Sequence, residues 1–122
     1  MKLSYAICAL LGGAMVACIS STATEESERD LYLKEKATDS VVVEKGKESY
    51  QAFCLACHGE ESVTVESVSN LFDDKWYRGG TPEKIESSIL KGYLDTGMPP
   101  WEGMLPEEDI VSIVAYLLSF ES

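Results

Sequence analysis

Positive charge is scarce in this chain: its 122 residues hold 10 Lys and Arg against 21 Asp and Glu, a formal net charge of −11. A surface of that sign repels phosphate backbones, so nucleic acid is not an expected partner. It favours solubility, and it favours proteins that present lysine and arginine, drawn in by long-range steering. Histidine is scarcer still, with His58 the single example, so no metal site can be assembled from several imidazoles. No segment alternates convincingly between apolar and polar residues, and the absence of that two-residue period makes an all-helical domain the expectation. Nor is there room for a second domain once the N-terminal segment is set aside. A domain this small buries a modest fraction of its surface, and a bound cofactor that doubles as core material would relieve the shortage.

What is present begins with Lys2, an apolar stretch from Leu3 to Ile19 broken by Ser4 and the Gly12-Gly13 pair, and then Ser20, Ser21 and Thr22. That order is an export signal, expected over residues 1–23. Its apolar core is shorter than the roughly 20 residues of a comfortable membrane span, and an uncleaved anchor is the alternative. Two cleavage sites compete. Ser21-Thr22-Ala23 offers small residues to the ordinary signal peptidase, whereas Met15-Val16-Ala17-Cys18 resembles a bacterial lipoprotein box and would end the signal at residue 17, with lipid on Cys18. The plain alternative makes Cys18, like Cys8, a small hydrophobe. The expected location is the periplasm or the outer face of the cytoplasmic membrane. Loss of Lys2 leaves nine basic against 21 acidic side chains, a net charge of −12. Residues 24–40 are rich in Glu, Ser, Thr and Lys and read as a flexible acidic linker, with Leu31, Tyr32 and Leu33 as an apolar interruption.

The folded domain is expected over residues 41–122. Val43, Gly46, Tyr50, Phe53, Cys54 and Cys57 recur at spacings of three and four, so one helix with a single buried face runs into the cysteine pair. A glycine inside a helix costs roughly 1 kcal/mol relative to alanine, so Gly46 is expected where another helix crosses closely. Thr81-Pro82-Glu83 reads as an N-cap, a first-turn proline and an acid suited to the helix dipole; the helix it opens stops at Lys91-Gly92. Gly97-Met98-Pro99-Pro100-Trp101 cannot be helical, because its prolines remove donors and restrict the residues before them. The last helix is expected to begin near Pro106 and to bury Ile110, Ile113, Val114 and Leu117.

Cys54-Leu55-Ala56-Cys57-His58 is the haem attachment motif C-x-x-C-H. Two thiols three residues apart on a helical turn can both reach the vinyl edges of one porphyrin and close thioethers, while His58 is carried under the iron. A zinc site would need a second cluster of nitrogen or sulfur ligands, which the sequence lacks outside the signal. A thioredoxin-like dithiol would sit in a βαβ setting, and a passive disulfide would make the adjacent histidine a coincidence. Met98 and Met104 are the candidate second axial ligands. Met98 is preferred because its flanking Gly and Pro residues hold it on a stiff loop, and Met104 is expected to fill a core gap.

Residues 41–122 resemble the class I cytochromes c: a helix ending in C-x-x-C-H, a later Met-Pro loop, and a terminal helix with Ile113-Val114-Ala115-Tyr116-Leu117, in the family order. Asn70-Leu71-Phe72-Asp73-Asp74-Lys75-Trp76, Gly79-Gly80 and Met98-Pro99-Pro100-Trp101 are similar to the haem domains in the third subunit of bacterial high-affinity terminal oxidases. That subunit usually has two such domains, where this chain has one. The resemblance implies three main helices around one covalent haem c, with Gly46 and Tyr50 meeting Tyr116. It also implies a proline after the motif whose carbonyl orients the proximal histidine; none occurs between His58 and Pro82, and Ser69 stands where it would be expected.

Two protein ligands, His58 and Met98, would leave the iron no open position, which points to a one-electron carrier of a respiratory chain rather than an enzyme, with no catalytic residues. A tethered subunit of a terminal oxidase is one alternative. A haem enzyme or gas sensor with an open sixth position is another. The acidic Glu60, Glu61 and Glu102 flank the two ligand loops and imply a redox partner with a basic docking surface.

Overall fold

The computed structural model describes residues 26–61, 70–73 and 75–121. The expected export signal and Cys18 lie outside them. In chain order the elements are α1 (Glu28–Ala37), α2 (Ser40–Phe53), α3 (Leu55–His58), α4 (Pro82–Lys91), a 3-10 turn (Leu94–Thr96) and α5 (Glu107–Leu118). No strand occurs among the described residues; two isolated backbone pairings, Tyr93 with Met98 and Glu102 with Leu105, are the extended contacts. The domain is all-α; α2, α4 and α5 are the helices expected from sequence, and α1 is a further helix of the same length as α4.

Local chemistry accounts for the helix ends. The Asp39 carboxylate accepts from the Val41 amide at 2.9 Å and starts α2, and the Thr81 hydroxyl accepts from the Lys84 amide at 3.4 Å ahead of Pro82 in α4. No side chain caps α5; Glu107, Glu108 and Asp109 in its first turn complement the positive end of its dipole. Helix α5 is the centre of the core. Every residue from Ile110 to Leu118 is buried except Tyr116, which is half-buried, and each such aliphatic side chain contributes about 1.5–3 kcal/mol by leaving water.

Helix α2 crosses α5 at Gly46. A methyl group on Gly46 would overlap the Ser112 carbonyl oxygen and lie 2.9 Å from Tyr116 Cβ. One turn on, the Tyr50 and Tyr116 rings meet with centroids 5.4 Å apart, and Phe72 closes on Tyr50 at 5.6 Å.

The linker expected over 24–40 is corrected by α1. Residues 28–37 form a helix capped by the Ser27 hydroxyl, with Leu33 wholly buried. Its sequence reads as solvated because a single leucine and Ala37 supply its apolar contact, while its polar residues bind to distant parts of the chain. The Arg29 guanidinium meets both oxygens of Glu86 and reaches Glu107 at 3.2 Å. Asp30 accepts from the Glu83 amide at 2.8 Å.

Candidate functional site

The cysteine pair sits where α2 gives way to α3. Cys54 ends one helix and precedes the next, and its carbonyl accepts from the Cys57 and His58 amides at 3.2 and 3.0 Å, curling the motif into one turn. Gly59 ends that turn with φ at 72°. The Tyr50 hydroxyl, on a ring buried in the core, donates to the Gly59 carbonyl at 2.8 Å and ties the end of the turn back to α2. Burial holds the Tyr50 phenol well above its ordinary range, so it stays a donor.

Met98 approaches from the other side on an arm that doubles as the cap of α4. Tyr93 and Met98 exchange backbone hydrogen bonds at 2.9 and 3.1 Å. The Trp101 and Glu102 amides then donate to the Ile89 and Leu90 carbonyls at 3.1 and 3.2 Å, two groups that a helix end leaves without intrahelical partners. The arm passes so close that a methyl group on Gly92 would sit 2.5 Å from the Pro99 and Pro100 backbone. Gly92 also has φ at 59° and ψ at −173°, a region open to glycine and almost nothing else.

Between the two arms lies a cleft of about 250 Å³ with Cys54, Cys57, His58 and Met98 all on its walls. Ile85, Ile89, Ile113 and Leu117 form its apolar floor. Among the described residues no carboxylate lines it, whereas Lys75 and Arg78 do. Neither cysteine is in a disulfide. Burial first, and the neighbouring Cys57 second, push the Cys54 thiol up to about 11. A thiol held neutral by burial lacks the thiolate character of a reactive dithiol. Among the described residues no group of three or more His, Cys, Asp or Glu could hold a metal ion. The donor set therefore fits a haem of c type.

Residues 41–117 match the family described as cytochrome c oxidase, cbb3-type, subunit III. The chain belongs to that family. Similar proteins include the cbb3-type cytochrome c oxidase subunit CcoP of Azospirillum brasilense, 31% identical over 75% of this chain and 32% of that protein. Another is the FixP subunit of Rhizobium meliloti strain 1021, 29% identical over 83% of this chain and 36% of its own length. CcoP of Rubrivivax gelatinosus is 31% identical over 68% of this chain and 27% of that protein. The chain thus spans about a third of the length of the curated relatives it matches. No solved structure matches.

Within this subunit III domain, Trp76, Tyr77, Arg78 and Trp101 line the cleft. Met104 departs from expectation: it is 63% exposed. The turn closed by the Met104 and Leu105 amides on the Trp101 carbonyl sends Leu105 to the core and its neighbour outward. Lys75 and Tyr93 were not legible as site residues. The Arg78 guanidinium stacks over the Tyr93 ring at 4.2 Å, and the Tyr93 hydroxyl pairs with Ser88 Oγ at 2.9 Å. The available signal for Tyr93 was its place directly after the helix-ending Gly92 and ahead of the methionine. The loop expected to supply a carbonyl to His58 lies over residues 62–69, outside the described residues.

Proposed function

We propose that this chain is a one-electron carrier of a bacterial respiratory chain, with haem c bound through Cys54 and Cys57 and ligated by His58 and Met98. The supporting observation is that two thiols, an imidazole and a thioether line one cleft that has an apolar floor, two cations and no carboxylate among its described walls. When bound, the haem supplies an iron that gains or loses one electron, at a potential that methionine ligation raises relative to a second histidine. The protein's part is positional. Tyr50 holds the end of the attachment turn, the α4 cap holds Met98, and the aliphatic floor keeps water away. Arg78 and Lys75 offer positive charge to the haem propionates, with Arg78 steadied on Tyr93.

The relatives' names favour a haem subunit of a terminal oxidase over a free shuttle. On this reading the domain is exported and tethered, with Cys18 as lipid anchor. Among the described residues no helix is long and apolar enough to cross a membrane. Co-purification with an oxidase from membranes supports the subunit reading, and recovery of the chain alone supports the shuttle.

The test is spectroscopic. The purified protein should give a low-spin reduced spectrum and, when oxidised, a near-infrared sulfur-to-iron band that Met98→Ala abolishes. Rapid carbon monoxide binding to the unmodified reduced protein would overturn the carrier in favour of an enzyme or gas sensor with an open sixth position.

A further inference from the structure

Helix α1 lies outside the residues that the family match covers, yet it grips the helix that ends in the methionine arm. The Glu86 side chain on α4 is only 7% exposed and receives the Arg29 guanidinium, with Nε at 2.8 Å. The same guanidinium extends to Glu107 in the first turn of α5. The next residue, Asp30, is 8% exposed, and its carboxylate accepts from the Glu83 amide, one of the donors that a helix start leaves unpartnered. Two successive residues thus hold α4 by a side chain and by its backbone. At its other end α4 receives the Trp101 and Glu102 amides and packs Gly92 against Pro99 and Pro100, and between these ends it presents Ile85, Ser88 and Ile89 to the cleft. A buried ion pair is weak support for stability, but it can specify one relative placement of the elements it joins.

We propose that Arg29 and Asp30 are positioning residues for Met98. By fixing α4, helix α1 fixes the wall from which the thioether is presented, and loosening that grip opens the sixth position more often. This rests on Met98 being the second axial ligand.

The experiment titrates imidazole, a small competitor for the methionine position, into the oxidised full-length haem protein at a temperature where each variant is folded. Asp30→Ala should bind imidazole about tenfold more tightly than the parent, because it removes a charge-assisted hydrogen bond. Asp30→Asn keeps an acceptor oxygen and should stay within about twofold of the parent. Arg29→Met, which keeps the aliphatic stem, should also tighten binding and serves if Asp30→Ala does not fold. A parent-like imidazole affinity in Asp30→Ala or Arg29→Met, together with a lowered melting temperature, would show that α1 merely stabilises the fold and would overturn the proposal. So would equal tightening by Asp30→Ala and Asp30→Asn. If Met98→Ala binds imidazole no more tightly than the parent, the ligand reading itself has failed, and this inference falls with it.

Discussion

Gly46→Ala sets two magnitudes of opposite sign against each other. Alanine is favoured over glycine inside a helix by roughly 1 kcal/mol, so at an open position of α2 the substitution would stabilise. The added methyl group, however, meets the Ser112 carbonyl oxygen, a backbone atom inside α5 that has no rotamer to turn away, and Tyr116 Cβ at 2.9 Å. The helices must therefore separate. Separation loosens the Tyr50 and Tyr116 contact, with centroids at 5.4 Å, beside the aliphatic residues of α5. Overpacking of this kind costs typically 1–3 kcal/mol and occasionally more. The overlap is with a backbone atom, so the steric cost lies at the upper end of that range and, less the propensity gain, leaves a net loss of about 2 kcal/mol; in a domain of this size each kcal/mol lowers the melting temperature by about 4–8 °C. Thermal and denaturant unfolding of the haem protein, followed by circular dichroism, should show that loss. Lys47→Ala, on the exposed side of the same helix, should change stability by no more than about 0.5 kcal/mol. A Gly46→Ala protein as stable as the parent, or more so, would refute the close crossing.

Tyr50→Phe keeps the ring contacts but removes the donor to the Gly59 carbonyl; it should cost about 1–2 kcal/mol in denaturant unfolding with no loss of haem content. An unchanged midpoint would mean that the hydrogen bond contributes nothing. Gly92→Ala meets both a glycine-only backbone conformation and the Pro99–Pro100 backbone, so it should destabilise by about 2–4 kcal/mol and weaken the sulfur-to-iron band. A full-strength band at parental stability would contradict it. Electron transfer to a basic redox partner should slow by about tenfold or more from low to high salt if the exposed Glu60, Glu61 and Glu102 steer the encounter; a salt-independent rate would remove the case for a basic docking surface.

What could be read from the sequence was whatever the chain states within a few residues. The Thr81-Pro82 start, the Gly92 stop, the Pro106 entry to α5 and the C-x-x-C-H turn each depend on neighbours in sequence, and each lies in the structure where its local chemistry put it. Gly46 was legible for a related reason, since a glycine that opposes its own helix calls for a close neighbour. Helix α1 was not, because its contacts are remote. Arg29 finds Glu86 57 residues away and Asp30 finds the Glu83 amide 53 residues away. A charged side chain with a distant partner looks, in sequence, the same as one in water. Tyr93 was missed in the same way, its role set by Arg78, Ser88 and the Met98 backbone at once.

The methionine arm shows why a helix end is a good place from which to offer a ligand. Two of the last carbonyls of α4, those of Ile89 and Leu90, take their donors from the arm, so the end of the helix and the fold of the arm are coupled. Swinging Met98 away would break the two Tyr93 and Met98 bonds and the two bonds to Ile89 and Leu90. At about 1 kcal/mol net for each backbone hydrogen bond, opening the whole arm costs roughly 4 kcal/mol, which keeps the open state near 0.1% even before any bond to iron is counted. Release of one bond at a time costs far less and leaves the arm in place. On the ligation proposed above, a thioether held in this way would rearrange little between oxidation states, the property an electron carrier needs.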